Sequence, residues 1–149
     1  MKGTPLITVA YHFHGMTVIV PKQKGNDIVA VDLGSVLPPN IQKQTSNFKL
    51  IRHIANIVLY DKKDYDRGKL TPVKDFDPPI EIHVGYRLTD VRKSKGNFRK
   101  LKLAYWDGKK WVLLSDPTHQ FMIFPRSTRQ IAEATIWSWV GDPPIGWGT

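Results

Sequence analysis

Apolar residues recur with a period of two in short runs along this chain, and turn formers interrupt them about every ten residues. Such alternation puts successive side chains on opposite faces of an extended backbone, so each run predicts a strand with one buried face. The pattern predicts strands over residues 6–13, 16–20, 28–33, 54–60, 80–88, 99–106, 111–114, 121–124 and 131–140. Nine short strands suit two packed sheets, and the fold class expected is all-β: an antiparallel two-sheet β-sandwich of the immunoglobulin-like kind. Gly25-Asn26, Pro38-Pro39-Asn40, Arg67-Gly68, Gly96-Asn97, Asp107-Gly108 and Asp116-Pro117 supply turn chemistry between the runs. In FKLIRHIANIVLY, residues 48–60, Leu50, Ile51, Ile54, Ile57 and Val58 also fit a helical stripe, but the β-branched content favours a strand.

A chain of 149 residues, 41% hydrophobic and 23% charged, reads as a single globular domain over 1–149, with a Pro/Gly-rich C-terminal tail at 141–149. The absence of cysteine excludes disulfides, thiolate metal ligands and a cysteine nucleophile. No stretch approaches the roughly 18 consecutive apolar residues of a membrane span, and the opening residues carry no export signal, so a soluble chain without membrane insertion is expected. The formal charge of +9 favours an anionic partner. Its distribution says more than its total: between residues 92 and 110 eight cations, Arg92, Lys93, Lys95, Arg99, Lys100, Lys102, Lys109 and Lys110, stand against the single acid Asp107.

The stretch AYWDGKKWV, residues 104–112, contains an Asp-Gly between two alternating runs, a strong hairpin signal. A loop through Lys109-Lys110 sets Trp106 opposite Trp111 as a cross-strand aromatic pair. The rings are therefore expected inside a hairpin, with a sugar- or base-stacking platform as the alternative. In the incoming strand Leu101, Leu103 and Tyr105 share an apolar face, while Lys100, Lys102, Ala104 and Trp106 share a basic one.

The segment FDPPIEIHVGY, residues 76–86, followed by LKLAYWDGKKWVLL, residues 101–114, resembles ZU5-like β-sandwich modules of bacterial surface and multidomain proteins. The likeness covers roughly residues 54–124. It implies an antiparallel sandwich used as a spacer or protein-interaction module. Some ZU5-like domains cleave themselves at a His-Phe-Ser; here Gln120 separates His119 from Phe121 and no serine follows, so the nucleophile is missing.

Other candidate chemistry is sparse. His12 and His14 in YHFH lie two apart, which on a strand directs both imidazoles the same way, but zinc needs a third ligand that the sequence does not identify. Solvent-facing or hydrogen-bonded histidines are the plainer reading. Asp61, Asp64 and Asp66 in DKKDYDRG fail calcium-loop spacing and read as a solvated turn. Asp75, Asp77 and Glu81 read as turn and strand-surface acids. Trp137 and Trp139 share a face of the strand over 131–140 with Glu133 and Thr135; they form either an exposed stripe or a face covered by the tail and its Trp147.

The function expected is a non-catalytic interaction or structural module that mediates protein contacts or acts as a spacer, with no cofactor. The alternative is an anionic-polymer binding module. It would use the basic hairpin over 92–110, with Phe98 among its cations, aided by Trp137 and Trp139. A hydrolase lacks any motif that links nucleophile, base and orienting group.

Overall fold

The computed structural model describes residues 8–34, 37–139 and 143–149. Ten strands are found among them, in two antiparallel sheets of five. The first sheet contains β1 (Thr8–Phe13), β2 (Met16–Pro21), β5 (Asp75–Gly85), β9 (Ile131–Ser138) and β8 (Met122–Ile123), side by side in the order β1-β2-β5-β9-β8. The second contains β3 (Ile28–Asp32), β4 (Leu50–Asp61), β10 (Pro144–Gly148), β6 (Lys102–Trp106) and β7 (Trp111–Leu113), in the order β3-β4-β10-β6-β7. The all-β two-sheet sandwich is thus the fold. Met16, Val18 and Val20, Ile80, Ile82 and Val84, and Ala132, Ala134 and Ile136 face inward from the first sheet. They meet Ala55, Ile57 and Leu59, Leu103 and Tyr105, and Ile145 and Trp147 from the second. Period-two alternation produces these inward rows, as the sequence implies.

Several predicted boundaries move. Residues 48–60 do hold a strand, but it starts at Leu50 and runs twelve residues. The run over 80–88 begins earlier, at Asp75, and stops at Gly85; Leu88 instead opens the short helix α2 (Leu88–Lys93). The run over 99–106 begins at Lys102, because Asn97 accepts a hydrogen bond from Arg99 N at 3.0 Å and caps a 3₁₀ turn over Phe98–Lys100. Residues 6, 7 and 140 of the predicted strands lie outside the described residues.

The largest correction concerns the C-terminal segment. Pro144–Gly148 is no tail: it is the central strand of the second sheet, hydrogen-bonded to β4 on one side and β6 on the other. Ile145 and Trp147 point into the main core and are fully buried. Pro144, Gly146 and Gly148 face outward, where a second small cluster of Phe48, Ala104, Trp106 and Trp111 packs with Ile41, Leu50 and Leu113. Both glycines are required by space. A Cβ on Gly148 would stand 2.3 Å from Lys49 O and 2.4 Å from the Phe48 ring, and one on Gly146 would stand 2.4 Å from Leu50 Cδ1. Proline and glycine, read locally as tail chemistry, are here the residues that let a central strand lie under an aromatic cover.

The diproline in β5 raises a second question, since Pro78 and Pro79 cannot donate to a ladder. Buried Gln23 fills the gap: its Oε1 accepts from Asp77 N at 3.0 Å and its Nε2 donates to Pro78 O at 3.0 Å and Pro21 O at 2.9 Å. The β5–β9 register shifts between Asp75 and Ile80, where the prolines sit.

Two stability measurements check this architecture by denaturant unfolding. Gly148→Ala is expected to cost about 1–3 kcal/mol through overpacking, whereas a true tail position would tolerate it. Gln23→Leu is expected to cost about 1–3 kcal/mol by leaving the Asp77 N–H and Pro78 carbonyl without partners.

Candidate functional site

After Gly85 the chain leaves the first sheet and crosses one end of the sandwich to reach β6 in the second. This crossing holds most of the clustered positive charge. Its acid points inward: Asp90 is 2% exposed and accepts from Arg52 Nη2 at 2.7 Å, Arg52 Nε at 3.1 and 3.2 Å, and Arg87 N at 2.8 Å. One bidentate pair therefore staples α2 to β4. Buried Ser94 closes the following turn by donating to Val91 O and lying 2.8 Å from Asn97 O. Lys95 and Gly96 take left-handed φ values of 62° and 75° there. Tyr86 stacks on Phe98 at 6.1 Å between ring centroids and meets Trp147 edge-on at 6.2 Å, and Trp147 Nε1 donates to Gly85 O at 2.8 Å.

With the acid and the rings turned inward, Arg92, Lys93, Lys95, Arg99 and Lys100 are left exposed, and none of them forms a salt bridge among the described residues. Lys93, Ser94, Lys95, Lys100 and Thr149 line a shallow cavity of about 150 Å³. Lys102 is half-buried and spends its ammonium on Asn47 O at 3.1 Å. Burial raises the Tyr86 phenol above its usual range, partly offset by the charge of exposed Arg126.

The run over 92–110 is not one basic hairpin. Lys109 and Lys110 sit at the tip of the turn between β6 and β7, a strand length of roughly 17 Å from the crossing. There both backbone N–H groups bind Asp107 Oδ1 at 2.8 Å. Burial acts to raise the Asp107 pKa, but the Lys110 and Lys109 N–H groups and their charges outweigh it and hold the carboxyl below its usual range.

The predicted aromatic pair is present: Trp106 and Trp111 are register partners with centroids 5.5 Å apart. Both are buried, so the rings are the inside of the hairpin. Their cover is the segment before β4, through Phe48 at 4.6 Å from Trp111 and through Gln42 O, which accepts from Trp111 Nε1 at 2.6 Å. The face expected to be basic is therefore apolar beyond Lys102.

Three proposed aromatic contacts are corrected. Trp139 is 2% exposed, donates from Nε1 to Ile57 O at 2.9 Å and packs on Tyr105, because β9 ends at Ser138 and the chain turns inward. Trp137 alone is exposed, at 43%, but it lies at the far end of β9 from the crossing. Phe98 has one ring face against Tyr86 and the Arg99 guanidinium 4.8 Å from its centroid.

The histidine pair of YHFH is also separated. β1 ends at Phe13, so His12 is on the strand, 3.2 Å from Thr17 Oγ1, while His14 is in the turn. DKKDYDRG forms a short helix, α1 (Lys62–Asp66), capped by Asp61 and braced by Lys62–Asp66 and Arg67–Asp64 pairs. Hydrogen bonds from Thr71 and Arg67 hold Asp64 below the ordinary carboxylate range. Sequence reading missed one grouping: the sheet brings Glu81, His83 and Glu133 together on its outer face, although 52 positions separate the first from the last. Local spacing carries no signal for that.

No family model, no curated protein and no solved structure matches this chain.

The crossing depends on a buried charge pair. Asp90→Asn leaves Arg52 without its counter-ion and is expected to cost about 3–5 kcal/mol in chemical unfolding. Local loosening of α2, read by amide exchange at Val91 and Ser94, should exceed that of β2.

Proposed function

We propose that this chain is a non-catalytic β-sandwich module that binds an anionic polymer at the end of the sandwich carrying α2 and the 3₁₀ turn. One observation carries the reading: the only acid between Arg87 and Lys102 is neutralised internally by Arg52, while Arg92, Lys93, Lys95, Arg99 and Lys100 stay exposed and without salt bridges among the described residues. Holding them on a stapled scaffold lowers the ordering cost of presenting several cations to successive anionic groups. The contacts offered are to backbone or repeat charges, which give salt-dependent, sequence-independent affinity. Because Phe98 is stacked and the exposed Trp137 is distant, aromatic stacking adds little, and charge dominates.

A second reading follows from the ZU5-like resemblance: an immunoglobulin-like spacer or protein-interaction unit of a bacterial surface or multidomain protein. The Trp106–Trp111 hairpin and the two antiparallel sheets support it. An acidic protein partner would meet the same cations.

Titration with single-stranded DNA, double-stranded DNA and heparin at increasing salt separates the readings. Engagement of five cations on a single strand predicts a log–log salt slope of about −3 to −4. Neutralising Arg92, Lys93, Arg99 and Lys100 to Gln, and Lys95 to Asn to respect its left-handed backbone, should flatten the slope and abolish binding at physiological salt. Lys109→Gln with Lys110→Gln should change little. No binding to any of the three at low salt would sink the polymer reading and leave the protein-partner one.

A further inference from the structure

The outer face of the first sheet presents a different chemistry from its basic end. His83 on β5 is the register partner of Glu133 on β9, and Glu81 lies two residues before His83 on the same face. Directly opposite pairs place their Cβ atoms about 5 Å apart, and the i, i+2 spacing along a strand is about 7 Å. One carboxylate oxygen from each glutamate and one imidazole nitrogen accordingly lie within 4.8 Å of one another. β5 and β9 each have strands on both sides, so the three side chains project from the rigid middle of the sheet rather than from loops.

Two features distinguish this group from an ordinary polar surface. The His83 Nε2 atom is buried and has no hydrogen-bond partner among the described residues; its nearest carboxylate oxygen there, Glu133 Oε2, stands 3.7 Å away. Of the other four histidines, three have partners: His12 with Thr17, His53 with Asn56 at 2.5 Å, and His119 with Asp116 at 2.5 Å, while His14 is exposed in the β1–β2 turn. Charge is the second feature. In a chain of formal charge +9, two carboxylates here lie close together, and among the described residues the one cation salt-bridged to them is Arg129, whose Nη2 lies 2.8 Å from Glu133 Oε2. Arg129 is itself held 4.7 Å above the Phe124 ring, and its bond to Oε2 leaves Glu133 Oε1 free for another ligand.

From these placements we propose that Glu81, His83 and Glu133 form a binding site for a divalent transition-metal cation of the zinc type. Imidazole nitrogen with carboxylate oxygens is a ligand set that such ions accept, and three protein ligands leave a position for water. Metal–ligand bonds of about 2.0–2.2 Å require the donor atoms about 3.4 Å apart. Rotation about the side-chain torsions of exposed Glu81 and half-buried Glu133 supplies the closure from the present spacing, with no change in the sheet. The ion would sit between the buried Nε2 and the carboxylates and give that nitrogen its missing partner. This site is independent of the basic end, and neither reading depends on the other.

The test is titration of the metal-free full chain with Zn²⁺ against a chromophoric chelator, with circular dichroism to confirm that each variant keeps its fold. Wild type is expected to bind one Zn²⁺ per chain. His83→Gln and Glu133→Gln should each weaken binding about tenfold or more, in the range that ligand and near-ligand losses produce. Glu81→Gln, at an exposed position that cannot endanger folding, should weaken it severalfold, whereas His12→Gln and His119→Gln should leave it within about twofold. Absence of one-to-one binding by wild type, or equal affinity in Glu81→Gln and His83→Gln to that of wild type, would overturn the assignment. So would a loss in His12→Gln as large as that in His83→Gln, which would place the ion on other ligands.

Discussion

The burial of Trp147 is the contact on which the rest of this molecule depends. Its ring fills the space between the two sheets, its indole N–H donates to Gly85 O at the point where β5 ends, and Tyr86 packs on it edge-on. Phe98 stacks on Tyr86, so the crossing that carries the exposed cations is tied to the core through three rings in series. A large side chain of this kind contributes several kcal/mol by burial alone, about 3–5 on truncation. It can reach that position only because Gly146 and Gly148 let its strand run beneath Phe48 and Leu50.

Charge in the structure is sorted by location. At the crossing the acid is internal and the cations external, which is why a segment with one buried ion pair still presents a positive surface. On the outer face of the first sheet the order is reversed, with two carboxylates and an imidazole on rigid strands and Arg129 paired with one of the carboxylates. Lys109 and Lys110 belong to neither surface, since the length of β6 separates them from the crossing and their backbone N–H groups cap Asp107. The acids of α1 act as helix cap and local ion-pair partners. Local capping and pairing account for them without a ligand.

Much of this was legible in the chain. Strand positions followed from period-two alternation, and the Trp106–Trp111 hairpin from its Asp-Gly turn and flanking runs. The density of cations between Arg92 and Lys100 is a composition fact that folding did not alter. Where the local reading failed, a longer-range contact prevailed: Trp139 turned into the core when β9 ended, and Leu88 began a helix because Asp90 binds the Arg87 N–H and Arg52.

The sequence by itself determined which residues could be strand, turn or exposed charge, because those preferences arise from neighbours within a few positions. Only the tertiary structure decided that the last described strand would lie at the centre of a sheet, that loop residues around Phe48 would cover Trp111, and that Glu81 and His83 would face Glu133. The physical reason is that strand pairing joins segments far apart in the chain. Alternation specifies which face of each strand is buried but does not name the partner, and the choice among partners is made by the free energy of the whole packed assembly.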